Sequence, residues 1–334
     1  MTGGAGQIRN RRSLLELGLW LVIALLPLVL GSWQIAQLAQ FFTYGILALS
    51  LAFVWGQGGL LCFGQAVFFG IGAYAMSVVT LGMLPGQNAP GSSFVGLAAA
   101  VLLPALFANL LGRFLFYGRG LSGAYLGIVT LAIAVIAERL AVHWDYLGGL
   151  NGLMNVPPFT FQLSGGAYEV WQPLQVYYLT LAFAFLTYLL LQGVITSRYG
   201  TVVRAIRDGT DRVTFFGYDT SAYRVTVFTL GAAVAGLAGG LFVTLFNFAS
   251  PPLIGFTLST EVLIWVALGG RASLMAAFLG AVVVRFLEDL LSETFDAYWL
   301  LVLGLLFVLS VIAFPRGVIG EALYRLGGRP PRGE

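Results

Sequence analysis

Hydrophobic positions in this chain neither alternate nor gather into a narrow stripe; they run unbroken for roughly twenty residues at a time. A strand of a membrane barrel would alternate apolar and polar over about ten residues. A helix of a soluble domain would keep a charged outer face. These runs do neither, so each reads as an α-helix suited to a hydrocarbon core ~30 Å thick. The predicted spans are 16–31, 35–56, 66–84, 94–112, 122–142, 176–196, 224–246, 259–270, 272–292 and 298–314. The eighth is too short to cross as a straight helix and reads as a half-helix, or as one arm of a broken pair with the ninth. The expectation is an all-α polytopic transmembrane helical bundle of about ten spans with broken or half helices. A count of eight would keep the same parity.

The polar segments between the runs set the orientation. Arginine accumulates on the cytoplasmic side of membrane proteins. Arg9, Arg11 and Arg12 precede the first span, and alternation then places Arg113, Arg119, Arg198, Arg204, Arg207, Arg212, Arg224, Arg271 and the tail arginines on that same side. Loops on the other side hold acids such as Asp145, Glu169, Glu293 and Asp296. Both termini are therefore expected in the cytoplasm, with an arm at 1–15 and a tail at 315–334. An outer loop covers 143–175 and an inner segment 197–224. No linker separates independent domains, so 1–334 reads as one membrane domain. Asn10-Arg11-Arg12-Ser13-Leu14-Leu15 also fits a secretory or twin-arginine signal. No convincing small-x-small cleavage site follows, and a retained first helix is the expectation.

Composition narrows the chemistry. Of 334 residues, 59% are hydrophobic and 9% charged, against roughly a quarter charged in soluble domains. All 17 basic residues are arginine, so the chain lacks the lysine that a nucleotide-binding P-loop needs. One cysteine (Cys62) and one histidine (His143) exclude a disulfide framework or a Cys/His metal cluster within the chain. No nucleophile–base pair suggests a membrane-embedded enzyme. The basic pI is explained by topology rather than by nucleic acid. No cofactor is expected in this chain.

Two glycine-rich motifs interrupt the runs: Gly56-Gln57-Gly58-Gly59-Leu60-Leu61-Cys62-Phe63-Gly64-Gln65, and Glu261 through Gly269-Gly270-Arg271. Glycine disfavours helix interiors, so Gly58, Gly59, Gly64, Gly269 and Gly270 mark helix breaks. Such breaks either line a pathway or permit close helix packing. The similarity of the two motifs is compatible with an internal repeat. Gln65 and Tyr74 are candidate route residues beside the first motif, and Glu261 opens the second. Ionisable groups inside spans are costly and face protein or water. Glu138 either lines the route or binds a neighbouring helix. Arg285 can pair with Glu288 or Asp289 one turn away. Around Arg204-Ala205-Ile206-Arg207-Asp208 the pattern predicts a short amphipathic helix at the inner surface, either a lipid anchor or a docking element.

Taken together, Gly58–Tyr74, Ser122–Glu138, Gly148–Leu153, Ser197–Asp208 running into Ala232–Gly240, and Glu261–Gly280 resemble the branched-chain amino acid/urea-type permease family of ABC importers. The outer loop and Ser-Arg-Tyr-Gly…Arg-Ala-Ile-Arg-Asp are similar to the LivM-type member. Ile264–Arg271, Phe216–Asp219 and Tyr298–Leu300 look closest to the urea-system version. Leu147 stands where the family has threonine, and Met275-Ala276 where glycine-containing sequence is common. The resemblance implies a heterodimer with a second, paralogous permease in the bacterial inner membrane. It also implies two cytoplasmic ATPases that bind ATP and Mg, and an outside solute-binding protein. It assigns Gly200, Arg204, Ala205, Ile206, Arg207 and Asp208 to the segment that docks the ATPases. The scarcity of charge within spans points to urea or a short amide, with a branched-chain amino acid as the alternative. A rival of another class is a stand-alone channel or secondary transporter, coupled through protonation of Glu138 or Glu261.

Overall fold

The computed structural model describes residues 3–84, 91–118, 120–163, 166–295, 301, 304–305, 308 and 317–327. The apolar runs predicted between 35 and 292 become helices within a few residues of the predicted bounds, while the first, predicted at 16–31, is shifted toward the N-terminus. The helices are α1 (Gly3–Leu25), α2 (Ser32–Leu51), α3 (Gln65–Thr80), α4 (Ser93–Phe116) and α5 (Gly123–Val142), followed by α6 (Pro173–Thr196), the amphipathic α7 (Arg198–Phe215) of the inner segment, α8 (Thr220–Phe246), α9 (Phe256–Gly269) and α10 (Leu274–Phe295). A further helix, α11 (Val318–Gly327), lies in the expected tail. The tenth predicted span falls mostly outside the described residues.

Six described helical stretches are long and apolar enough to cross a membrane: 32–57, 93–116, 123–142, 173–196, 220–246 and 251–269. Two shorter apolar helices, 14–28 and 65–80, accompany them. α10 has the length, but Arg285, Glu288, Asp289 and Glu293 break its apolar character. α1 reaches back to Gly3, so the described part of the expected arm, 3–15, belongs to that helix. The run predicted to 31 ends earlier, in a 3-10 turn over Leu26–Leu28, because Pro27 cannot donate a helical hydrogen bond.

α8 lies at the centre, against α2, α3 and α4. Small residues allow this closeness. A Cβ on Gly72 would collide with the Gly236 backbone, and one on Gly239 with the Phe69 carbonyl. Two strand pairs supplement the all-α expectation. β1 (Leu153–Met154) pairs antiparallel with β4 (Phe248–Ala249), and β2 (Phe159–Leu163) with β3 (Gly166–Val170). The first pair joins the outer loop to the distant end of α8, and the second is a local pairing within the loop; each satisfies loop backbone groups. Asn247 donates from Nδ2 to the Val156 carbonyl at 2.9 Å, and Phe94 meets Phe159 and Phe161 edge-on.

Polar contacts sort the connections between helices into two ends. At one end, Ser221 Oγ donates to the Phe116 carbonyl, Arg224 Nη2 to Thr210 Oγ1, and Arg207 Nη1 to the Gly56 carbonyl. At the other, Tyr146 donates to the Met83 carbonyl, and Ser93 bonds Thr160. The first end holds Arg113, Arg204, Arg207, Arg224 and Arg271; the second holds the strands.

Candidate functional site

The two glycine motifs meet. At its lower end α2 widens into a π-helix, Ala52–Gln57, and the chain then runs non-helically to α3. α9 stops at Gly269, and Gly270 (φ 123°) turns the chain toward α10. A side chain at Gly56 would strike the Arg271 carbonyl. Gln57 Nε2 donates to the Ala272 carbonyl at 3.2 Å, and the Arg271 guanidinium stands 5.0 Å from the Trp55 ring centre. Gly64 abuts the Thr130 carbonyl, Gly58 abuts Val227, and Gly269 abuts Gly280. The breaks are thus sites of close backbone packing. Gly59 (φ +68°) occupies left-handed backbone beneath the Arg207 side chain. From the tail, Gly317 packs on Gly270, so α11 covers the second break as α7 covers the first.

α7 is amphipathic as predicted, and its inward face is now assigned. Ser197 caps it by accepting from the Gly200 N–H at 3.3 Å. Gly200, Val203, Ile206 and Val213 are buried. Arg204 Nη1 donates to the Ile195 carbonyl at 3.2 Å, and Arg207 Nη1 to the Gly56 carbonyl at 2.7 Å, while Arg207 Nε pairs with Asp208 at 2.8 Å. Of the six residues expected to form the docking element, Ala205 and Asp208 face outward along with part of Arg207. The others grip the membrane helices. The chain leaves helical geometry at Gly209 (φ −174°, ψ 82°) and resumes a helix to Phe215.

The four predicted route residues do not converge. Gln65 is buried at the start of α3, and its Nε2 donates to Ser50 Oγ at 2.9 Å and to the Gly231 carbonyl at 3.3 Å. Its Oε1 has no hydrogen-bond partner, nor does the hydroxyl of Tyr74, which is buried further along the same helix. Glu138 packs its carboxylate on Gly255, the N-cap of α9, where the helix dipole favours an anion. Of its two expected roles, this is the contact with a neighbouring helix. Glu261 lies about 9 Å further along α9 by helical rise, half-buried beside Arg285 and Glu288. A cavity of about 200 Å³ opens at the second end between α2, α6 and α8, lined in part by Gln40, Trp171, Thr244 and Asn247. It excludes all four route residues.

The predicted Arg285–Glu288 pair forms, and it anchors a larger cluster. Glu288 is 3% exposed, accepting from Arg285 Nη1 at 2.7 Å and from Trp265 Nε1 at 3.3 Å. The guanidinium lies 4.7 Å from the Tyr44 ring centre and 6.0 Å from that of Trp265, distances at which a cation is attracted to the ring faces. Asp289, the other candidate partner, accepts instead from Gln37. Sequence reasoning paired the ions but missed Tyr44 and Trp265; Trp265, inside the second motif, was the available signal. Among the described residues, no group of three or more His, Cys, Asp or Glu is placed to hold a metal.

Comparison with known proteins adds to this geometry. Residues 35–311 match the family model described as branched-chain amino acid transport system / permease component. The high-affinity branched-chain amino acid transport system permease protein LivM of Salmonella typhimurium is 31% identical, over 86% of this chain and 70% of its own length. The probable branched-chain amino acid transport permease protein LivM of Methanocaldococcus jannaschii is 25% identical, over 85% of this chain and 92% of its own. The permease protein LivH of Escherichia coli, named for a high-affinity system of the same kind, is 27% identical over 37% of this chain and 41% of its own. No solved structure matches.

Proposed function

Because the chain belongs to the family of branched-chain amino acid transport system permease components, we propose that it is the LivM-type subunit of an ABC importer that carries branched-chain amino acids inward by alternating access. It is a transport subunit, not an enzyme, and a multi-pass protein of the inner membrane. In this reading the single permease domain, 1–334, has about ten spans and both termini in the cytoplasm, and pairs with a LivH-like permease. Two separate ATPases bind ATP and Mg, and a solute-binding protein delivers cargo outside. The urea or short-amide reading is set aside. It rested on sparse charge within the spans, yet Glu261, Arg285, Glu288 and Asp289 gather inside the bundle, and the named relatives serve branched-chain amino acid systems. A zwitterion is better matched to charges and helix ends than a neutral amide is.

One contact carries the mechanism. Arg207 reaches from α7 to the Gly56 carbonyl, on the last turn of α2 where the two glycine motifs meet. Movement of α7 is thereby transmitted to the breaks of both motifs, whose backbones touch without intervening side chains. Reconstituted with its partner permease, ATPases and binding protein, the chain is expected to support ATP-dependent uptake of labelled leucine and not of urea. Urea uptake without leucine uptake would overturn the cargo assignment. Leucine uptake undiminished without the ATPases would favour the secondary-transporter rival.

The layout has its own test. Cys62 is buried, so introduced cysteines report cleanly. Met154→Cys, in β1, and Asp208→Cys, on α7, are expected to react with impermeant maleimide from opposite sides of the membrane, Asp208→Cys from the cytoplasm. Labelling of both from one side would refute the arrangement.

A further inference from the structure

α9 holds 14 residues, a rise of ~21 Å, against a hydrocarbon core of ~30 Å. Its last residue, Gly269, lies at the glycine junction of the arginine-rich end, so its first turn falls within the depth of the membrane. The chain descends to that point from β4 through a 3-10 turn, Pro251–Leu253. There the N–H groups of Phe256, Thr257 and Leu258 find no acceptor among the described residues, and no side chain caps the helix by a hydrogen bond. Glu138 of α5 lies half-buried over Gly255, yet its carboxylate forms no hydrogen bond or ion pair with any described residue. Arg139, next in the chain, is exposed and cannot share a face of α5 with it.

A second idle group faces the same place. A Cβ on Gly255 would run into the Glu138 carboxylate, so that carboxylate sits on the side of α9 that Gly255 presents. Ser259, four residues on, presents the same side, and its side chain leans back toward the start of the helix. It is 1% exposed, and its Oγ has no hydrogen-bond partner. Helical hydroxyls usually donate to the carbonyl one turn back, as the neighbouring Thr260 does to Phe256 at 2.9 Å. Ser259 does not. Lipid cannot cover this corner, because free N–H groups and a carboxylate are costly in hydrocarbon.

We propose that Glu138, Ser259 and the first turn of α9 form a binding site for the zwitterionic head of an α-amino acid. The inference deepens the importer reading above and rests on it for the identity of the cargo. The cargo's ammonium donates to the Glu138 carboxylate and to Ser259 Oγ. Its carboxylate accepts from the N–H groups of Phe256–Leu258, at the positive end of a helix that begins inside the membrane. Opposite charges side by side on the ligand thus meet an acid and a helix start side by side on the protein. Val135, one turn before Glu138, and Phe256 are exposed apolar groups for an aliphatic side chain.

The test uses the permease pair with its ATPases in nanodiscs, the binding protein being omitted so that it does not sequester leucine. Thr257→Cys, at an exposed position in a chain whose Cys62 is buried, is expected to react with a small methanethiosulfonate reagent and to be protected by leucine. The ammonium-free 4-methylpentanoate and the carboxylate-free 3-methylbutylamine are expected not to protect at the same concentration. Adding Glu138→Gln should raise the leucine concentration needed about tenfold or more, the scale of one lost charged hydrogen bond. Absence of protection by leucine, equal protection by either analogue, or a cysteine that never reacts would overturn the proposal. Loss of the partner permease on purification of Glu138→Gln would assign the acid to the contact between permeases and also overturn it. A wild-type complex that imports no leucine with its binding protein would overturn the importer reading instead; labelling needs no transport and judges this site separately.

Discussion

Glu288→Ala is expected to lower the yield of folded protein severely, by the ~3–5 kcal/mol typical of breaking a buried ion pair. The loss arises from what remains behind. Arg285 would keep its charge inside the bundle, with its carboxylate at 2.7 Å gone, and Trp265 Nε1 would lose its acceptor. The Tyr44 ring at 4.7 Å offers ~2 kcal/mol at best, too little to compensate. Arg285→Met/Glu288→Leu, which removes both charges and conserves volume, is expected to recover most of the loss. Monodisperse protein after mild detergent extraction, and its thermal midpoint in nanodiscs, are the measurements. If the double variant is as poor as the single one, the packing of Tyr44 and Trp265 around the pair, not its charge balance, holds this region together.

Arg207→Ala is expected to leave the chain folded and to reduce leucine uptake by about one to two orders of magnitude, as follows from losing a charged hydrogen bond worth ~1.5–3 kcal/mol at the link between α7 and α2. Hydrolysis of ATP should persist, because the exposed end of α7 is untouched. Arg207→Lys is expected to rescue partially, since the ammonium can reach a carbonyl but cannot hold both the Gly56 oxygen and the Asp208 carboxylate with a fixed fork. Hydrolysis and uptake in the same proteoliposomes decide the matter. Proportional loss of both would make Arg207 a general stabiliser rather than part of the link.

Sequence alone reached the helices because lipid allows few alternatives. An unbroken apolar run at 94–112 became Ser93–Phe116, and one at 176–196 became Pro173–Thr196. The amphipathic pattern of α7 was visible too, as was the pairing of Arg285 with Glu288. What could not be read was set by distant partners. Ala52–Gln57 looks like ordinary helix, and its widened turn sits where the Ala272 carbonyl takes the Gln57 amide. The β2–β3 pair packs its Phe159 and Phe161 rings against Phe94, far up the chain. Gln65, Tyr74, Glu138 and Glu261 were chosen by residue type, which carries no information about neighbours, and the fold scatters them. Arg204 and Arg207 were assigned to docking by the resemblance, and nothing in the sequence showed that each also donates to a main-chain carbonyl, of Ile195 and Gly56.

The abutting breaks at Gly56 and Arg271 have a consequence for how such proteins diverge. A ligand pocket tolerates replacement according to chemistry, with polar swaps differing from apolar ones. Here the interlock is made of peptide groups, and what must be inherited is vacancy. Any methyl at Gly56 intrudes upon the opposite main chain, whatever its polarity. At Gly56 the constraint is therefore on bulk, whereas Gln57, Arg271 and Arg207 around it are held by particular bonds.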